Sequence, residues 1–220
     1  MNVTRNAITA ALVMIVMTIL LGIAYPLAIT GISQVVFPGN ANGQQLYAGG
    51  KLVGSKIIGQ QFADQVVKNG KPQVDKNGNP VTNPDPRYFQ TRPSATIPPD
   101  NAAATTFSNL GPNNKTTEQE IAGNIAAYLQ LNRPYDPGLT AANVPVDAAD
   151  SSASGIDPDI SQADAWIQAH RVAAIRHLSL VTVMRLISQS ITGRSLGIFG
   201  EPGVDVLELN LALDRLQGGH

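Results

Sequence analysis

Along the first part of the chain, polar and apolar positions do not alternate at all. The run "AITAALVMIVMTILLGIAYPLAITGISQVVF", Ala7 to Phe37, is apolar on every face, and from Asn6 to Gly50 there is no Asp, Glu, Lys, Arg or His. A membrane-spanning helix needs about 20 such residues, so this run predicts an uncleaved anchor. The apolar region of a cleaved signal peptide is shorter, about 7–15 residues. Pro26 is expected to kink the helix, because its ring removes one backbone bond. Ala24 and Ala28 form a small-xxx-small pair where a partner helix could approach; ordinary lipid-facing alanines are the alternative. Arg5 lies before the span, and Lys51 and Lys56 after it, so the flanking charges give no orientation.

Beyond the span the pattern changes repeatedly. Residues 38–50, "PGNANGQQLYAGG", read as a linker. Val53, Ile57, Ile58 and Phe62 suggest one short strand-like element broken by Gly54 and Gly59. The excursion 66–86 contains the near-repeats KNGKP (68–72) and KNGNP (76–80). Its Asn-Gly turns and prolines predict a surface β-ribbon or a mobile loop. A helix is expected from a Thr117/Glu120 capping box, with Ile121, Ile125, Tyr128 and Leu129 as its apolar stripe and Asn132 and Pro134 at its end. Ser161 with Asp164 predicts a second helix start, running toward His177, and Ser179 opens a third. The C-terminal "GVDVLELNLALDRL" alternates like a strand, then fits a helix face, so a strand passing into a helix near Asn210 is expected. The whole reads as α+β: one N-terminal transmembrane helix (1–37), a linker (38–50) and a single mixed α/β soluble domain (51–220) with a loop insertion at 66–86.

Composition narrows the chemistry. The 220 residues carry a net charge of −1 and no cysteine, which removes a nucleic-acid-binding field, disulfides, thiolate nucleophiles and Cys-ligated zinc. The acids between Pro134 and Asp164 lack the spacing of a calcium loop; turn and cap roles are expected of them. His170 and His177 lack the i, i+4 spacing and third ligand of a zinc helix. "GRSLG" (193–197) matches the G-x-S-x-G nucleophile pattern, but a helix precedes Ser195 and the only downstream histidine is His220. A helix C-cap at Gly193 is the expected role. There is no phosphate-loop motif.

"YFQTRPSA" (88–95) concentrates Tyr88, Phe89 and Arg92 in an irregular segment. Two readings stay open. In one, the aromatics and the rigid guanidinium anchor a partner; in the other, the aromatics fill the core and Arg92 satisfies loop carbonyls.

With "GSKIIGQQF" (54–62), "YFQTRPSA", "SNLG" (108–111), "SASGIDPDIS" (152–161), "RVAAIR" (171–176) and "VDVLELNLALD" (204–214) in order behind an N-terminal span, the chain resembles the KdpC family, the C subunits of Kdp potassium-transporting ATPases. It departs from the family pattern at "TTFSNLG", which lacks a glycine-rich lead, at Asp205, at His170 and in the longer 66–86 excursion. The resemblance implies a non-catalytic accessory subunit of a high-affinity potassium uptake pump in the bacterial inner membrane. It implies a role in assembly and as a catalytic chaperone raising the ATP affinity of the P-type ATPase subunit. That effect would be indirect, since the resemblance also places the domain outside the cytoplasm. Implied partners are that subunit, a potassium-channel-like subunit and a small single-span subunit. The chain would hold no cofactor of its own; ATP, Mg and K ions would be handled by the partners. Candidate interface residues are Ala24, Ala28, Tyr88, Phe89, Arg92, Ser94, Asn109, Gly155, Asp157, Arg171 and Asn210. A membrane-anchored serine hydrolase and an extracytoplasmic ligand-binding domain are the competing classes.

Overall fold

The computed structural model describes residues 2–75, 78–107 and 109–218. The chain forms two compact units, Met1–Gln45 and Leu46–His220. In the first, α1 (Val3–Ile19) leads into a π-helical turn (Leu20–Ala24) and then α2 (Tyr25–Val36). Val3–Val36 is long and apolar enough to cross a membrane, and none of it is buried within the protein. Pro26 has no N–H to offer the carbonyl four residues back, and the helix answers by widening into the π turn just before it. A short helix, α3 (Pro38–Ala41), follows.

A hairpin of β1 (Gln45–Ala48) and β2 (Lys51–Ser55) comes next along the chain. The excursion is a ribbon: β3 (Ala63–Gln65) pairs antiparallel with β6 (Thr82–Pro84), and β4 (Val67–Lys68) with β5 (Lys71–Pro72). Asn69 and Gly70, both at positive φ, make its inner turn, as Asn-Gly does in hairpins. The second near-repeat includes Lys76 and Asn77, which lie outside the described residues.

Helix α4 (Lys115–Asn132) starts earlier than the Thr117 capping box predicts. Its N-cap is Asn114, whose side chain accepts from Thr116 N at 2.8 Å. Asn caps at least as well as Thr, and Lys115 and Thr116 are free to continue the helix upstream into solvent. A one-turn helix, α5 (Val146–Ala149), and β7 (Asp159–Ile160) lead to α6 (Gln162–Ile175), capped by Ser161 as expected. It stops short of His177, which takes φ +55°. Helix α7 (Leu180–Ser190) is capped by Ser179. It passes directly into β8 (Ile191–Thr192), so Gly193 is not a helix C-cap. β9 (Gly203–Asp205) is the central strand of the sheet β7–β9–β8. Helix α8 (Val206–Leu216) then begins at once, four residues before Asn210. Asp205 caps it by accepting from Glu208 N at 2.6 Å, so the Leu207–Leu213 alternation belongs to a helix, not a strand.

The core lies where α6, α7 and α8 pack on β9. Ala165, Ala169, Val172, Val183, Ile187, Val204, Leu209 and Leu213 are buried there, and Phe89 joins them from the loop region.

Candidate functional site

The segment Asp85–Asn101 has no regular structure, yet much of it is inside the protein. Buried backbone needs hydrogen-bond partners, and here side chains supply them. Asn210 accepts from Phe89 N and donates to Phe89 O, both at 2.9 Å. Gln168 does the same for Gln90, accepting from its N at 2.8 Å and donating to its O at 3.0 Å. Each amide pairs with the backbone as a neighbouring strand would. Arg171 donates to Pro86 O at 2.7 Å and Tyr88 O at 2.9 Å, and Arg176 donates to Arg87 O at 2.7 Å.

Behind this segment runs a buried polar chain. Arg171 donates to Asn132 Oδ1 at 2.9 Å and to Gln168 Oε1 at 2.8 Å. Gln168 donates to Asp164 Oδ1 at 3.0 Å, and the Tyr128 hydroxyl donates to the same oxygen at 2.6 Å. Burial pushes the Asp164 carboxyl up to about 7 and Arg171 down to about 10, and raises Tyr128 well above the ordinary phenol range. Asp164, Tyr128 and Asp100, the last pushed up to about 6 by burial, line a cavity of about 300 Å³.

The other half of the segment is tied to the acidic loop. Arg92 donates to Asp157 Oδ2 at 3.1 Å, and to the carbonyls of Asp150 at 3.4 Å and Ser151 at 3.3 Å. Its Nε is buried without a partner. Ser94 Oγ donates to Gly155 O at 2.6 Å and accepts from Asp100 N at 2.9 Å. Gly155 takes φ +71°, and a Cβ there would fall 2.6 Å from Thr106 O, so only glycine fits. Tyr88 lies against Phe62, with centroids 5.2 Å apart, and under Arg176, whose Cζ is 4.5 Å from its ring centroid. Its hydroxyl donates to Asp214 at 3.2 Å.

The structure thus gathers Tyr88, Phe89, Arg92, Ser94, Gly155, Asp157, Arg171 and Asn210 into one internal network. Phe89, Arg171 and Asn210 are buried in it. Within the domain Arg92 does what the internal reading expects, satisfying loop carbonyls. Asn109 stands apart and exposed, and its neighbour Ser108 lies outside the described residues. Ala24 and Ala28 are exposed on the apolar helix. Sequence reasoning missed Gln168, Asn132, Tyr128 and Asp164 as network members. Amides and a carboxylate on helices three and four apart were the available signal. Beside Asn109, Phe107, Leu110 and Ile121 line a groove of about 820 Å³ together with Ile97 and the 150–153 loop.

Ser195 is exposed in a turn closed by its own backbone bonds with Phe199, at 2.8 and 2.9 Å. The next helix begins only at Val206, so the strand–nucleophile–helix elbow is not formed. His220 lies outside the described residues. Among the described residues, no group of three or more His, Cys, Asp or Glu is placed to hold a metal ion.

Residues 7–215 match the family described as K+-transporting ATPase, c chain. The chain is 45% identical over 215 residues to the potassium-transporting ATPase KdpC subunit of Polaromonas naphthalenivorans, covering 97% of this chain and 96% of that one. It is 43% identical over 207 residues to the KdpC subunit of Burkholderia vietnamiensis, covering 93% of each. The KdpC subunit of Mycobacterium tuberculosis is 40% identical over 213 residues, covering 96% of this chain and 99% of that one.

Proposed function

The chain belongs to the KdpC family, the c chains of K+-transporting ATPases, and from that premise we propose that it holds an ATP-driven potassium pump together and tunes it without catalysing a step itself. An accessory subunit of such a pump is what the family match supports. The finer reading is that it is needed for assembly and raises the ATP affinity of the P-type ATPase subunit indirectly. The soluble domain lies outside the cytoplasm of a bacterial inner membrane. Its partners are that subunit, a potassium-channel-like subunit and a small single-span subunit, and ATP, Mg and K ions are handled by them.

The observation that carries this reading is where the motifs of the resemblance lie in the structure. Their polar side chains are hydrogen-bonded to the domain's own backbone (Asn210 to Phe89, Arg171 to Tyr88, Ser94 to Gly155). Such a network builds a rigid body, as a subunit that positions others requires. A domain outside reaches cytoplasmic nucleotide only through the free-energy coupling of the membrane subunits.

Two measurements test it. The tagged chain purified from membranes should bring the channel-like and P-type ATPase subunits with it; their absence would overturn the subunit reading. For orientation, Lys68→Cys on the exposed ribbon should react with a membrane-impermeant thiol reagent in intact cells. Labelling only after lysis would put the domain in the cytoplasm.

A further inference from the structure

The turn between β8 and β9 carries three exposed large apolar side chains within four residues, among them the most exposed one of the described soluble domain, Leu196. Leu196 is 90% exposed, Ile198 70% and Phe199 61%. Neither the core nor the buried network uses them. We propose that this turn is a docking knob that seats in an uncharged, apolar socket on another subunit of the pump, which rests on the pump-subunit reading above.

Three features of the turn argue for a protein socket. The first is its rigidity. Ser195 N donates to Phe199 O at 2.8 Å, Phe199 N to Ser195 O at 2.9 Å and Gly197 N to Arg194 O at 3.0 Å. Leu196 and Gly197 sit at positive φ, so the tip is a tight, defined protrusion. A preformed tip loses little conformational freedom on docking, which suits a concave partner of fixed shape. The second is charge. Arg194 and Glu201 are the only charged residues from 193 to 201, and Arg194 donates to both Glu201 oxygens at 2.8 Å. The base is therefore neutralised by its own ion pair. A bilayer-surface anchor draws on free basic residues that attract anionic headgroups, and this turn offers none. The third is size. A few large apolar residues clustered on one protrusion are the kind of anchor that dominates an interface, and an exposed apolar patch marks such a contact. The family's description as the c chain of an ATPase supplies the class of partner: another chain of the same pump.

The test uses the full chain in the full complex. The double variant Leu196→Ser with Ile198→Ser changes only exposed side chains, so its melting should match the parent. Purified through a tag on another subunit, the complex should retain this variant at least about tenfold less well than the parent. Equal retention would overturn the knob while leaving the subunit reading intact. Failure of the parent itself to co-purify would overturn both. A second readout locates the occupant. The chain has no cysteine, so Leu196→Cys carries a polarity-sensitive fluorophore at one site. Its emission should shift to the blue in the assembled complex. The same shift for the chain alone in phosphatidylethanolamine–phosphatidylglycerol vesicles would mean lipid covers the turn. A concentration-dependent shift for the chain alone in detergent would mean a second copy does. Either result overturns the proposal.

Discussion

Asp164 has the most consequential single environment in the domain. It is buried, accepts from Tyr128 and Gln168, and its carboxyl is pushed up to about 7 by burial. A carboxyl whose pKa rises on folding holds its proton more tightly when folded. Its contribution is therefore intact below the ordinary Asp pKa of about 4 and is lost as pH rises through about 7. Asp100 and Asp205, both pushed up to about 6 by burial, act in the same direction. Asp85, held low by its hydrogen bonds to Arg87, acts in the opposite one, losing stability as pH falls. Asp164→Asn keeps an oxygen for Tyr128 and Gln168 while removing the titration. Melting of the full chain in detergent should fall less between pH 5 and pH 8 in this variant than in the parent; equal slopes would contradict the assignment. Asn210→Ala should leave Phe89 N and O unsatisfied and destabilise the domain by about 1–3 kcal/mol for each group, measured by denaturant unfolding. The residue types at 88–95 announced that something specific happens there. Which groups answered Arg92, Phe89 and Gln90 was not legible, because those partners come from far along the chain: Asp157, Asn210 and Gln168.

Elements were legible where the signal is local. Ser161 and Ser179 cap the helices they were expected to cap, because an N-cap depends only on the next three residues. The start of α4 and the start of α8 were misplaced for a related reason. Both helices begin upstream of the expected residues, Thr117 and Asn210, because Asn114 and Asp205 cap them through their own side-chain bonds. Asn114→Ala should therefore destabilise α4 by about 1 kcal/mol, while Thr117→Ala should change little; the reverse order in thermal melts would restore the Thr117 cap. Strands of two to five residues, as here, are too short to show a reliable period. The ribbon is different, since its Asn-Gly turn is a local signal. Residues 67–72 are exposed, whereas Asp85 at its base is buried. Replacing 67–80 with a two-residue turn should thus leave the melting temperature nearly unchanged, since loop length contributes only about 0.6 kcal/mol per doubling. A large drop would mean the ribbon packs on something.

For the whole molecule, the span was the clearest feature, because a long uncharged apolar run has few alternatives. Membership of a pump-subunit family was not readable from periodicity or charge; it came from motif order, and the family match over residues 7–215 bears that resemblance out. Residues of the motifs that carry the resemblance pack inside the domain, whereas Leu196, Ile198 and Phe199 stay exposed. Under the proposed function, a chain without catalytic chemistry of its own is required for the pump to work. The most direct measurement is potassium-stimulated ATP hydrolysis by the purified complex prepared with and without this chain, together with the chain alone. No potassium-stimulated hydrolysis is expected without it, with recovery when it is added back and none from the chain by itself. Full potassium-stimulated activity in its absence, or hydrolysis by the isolated chain, would contradict the proposed function.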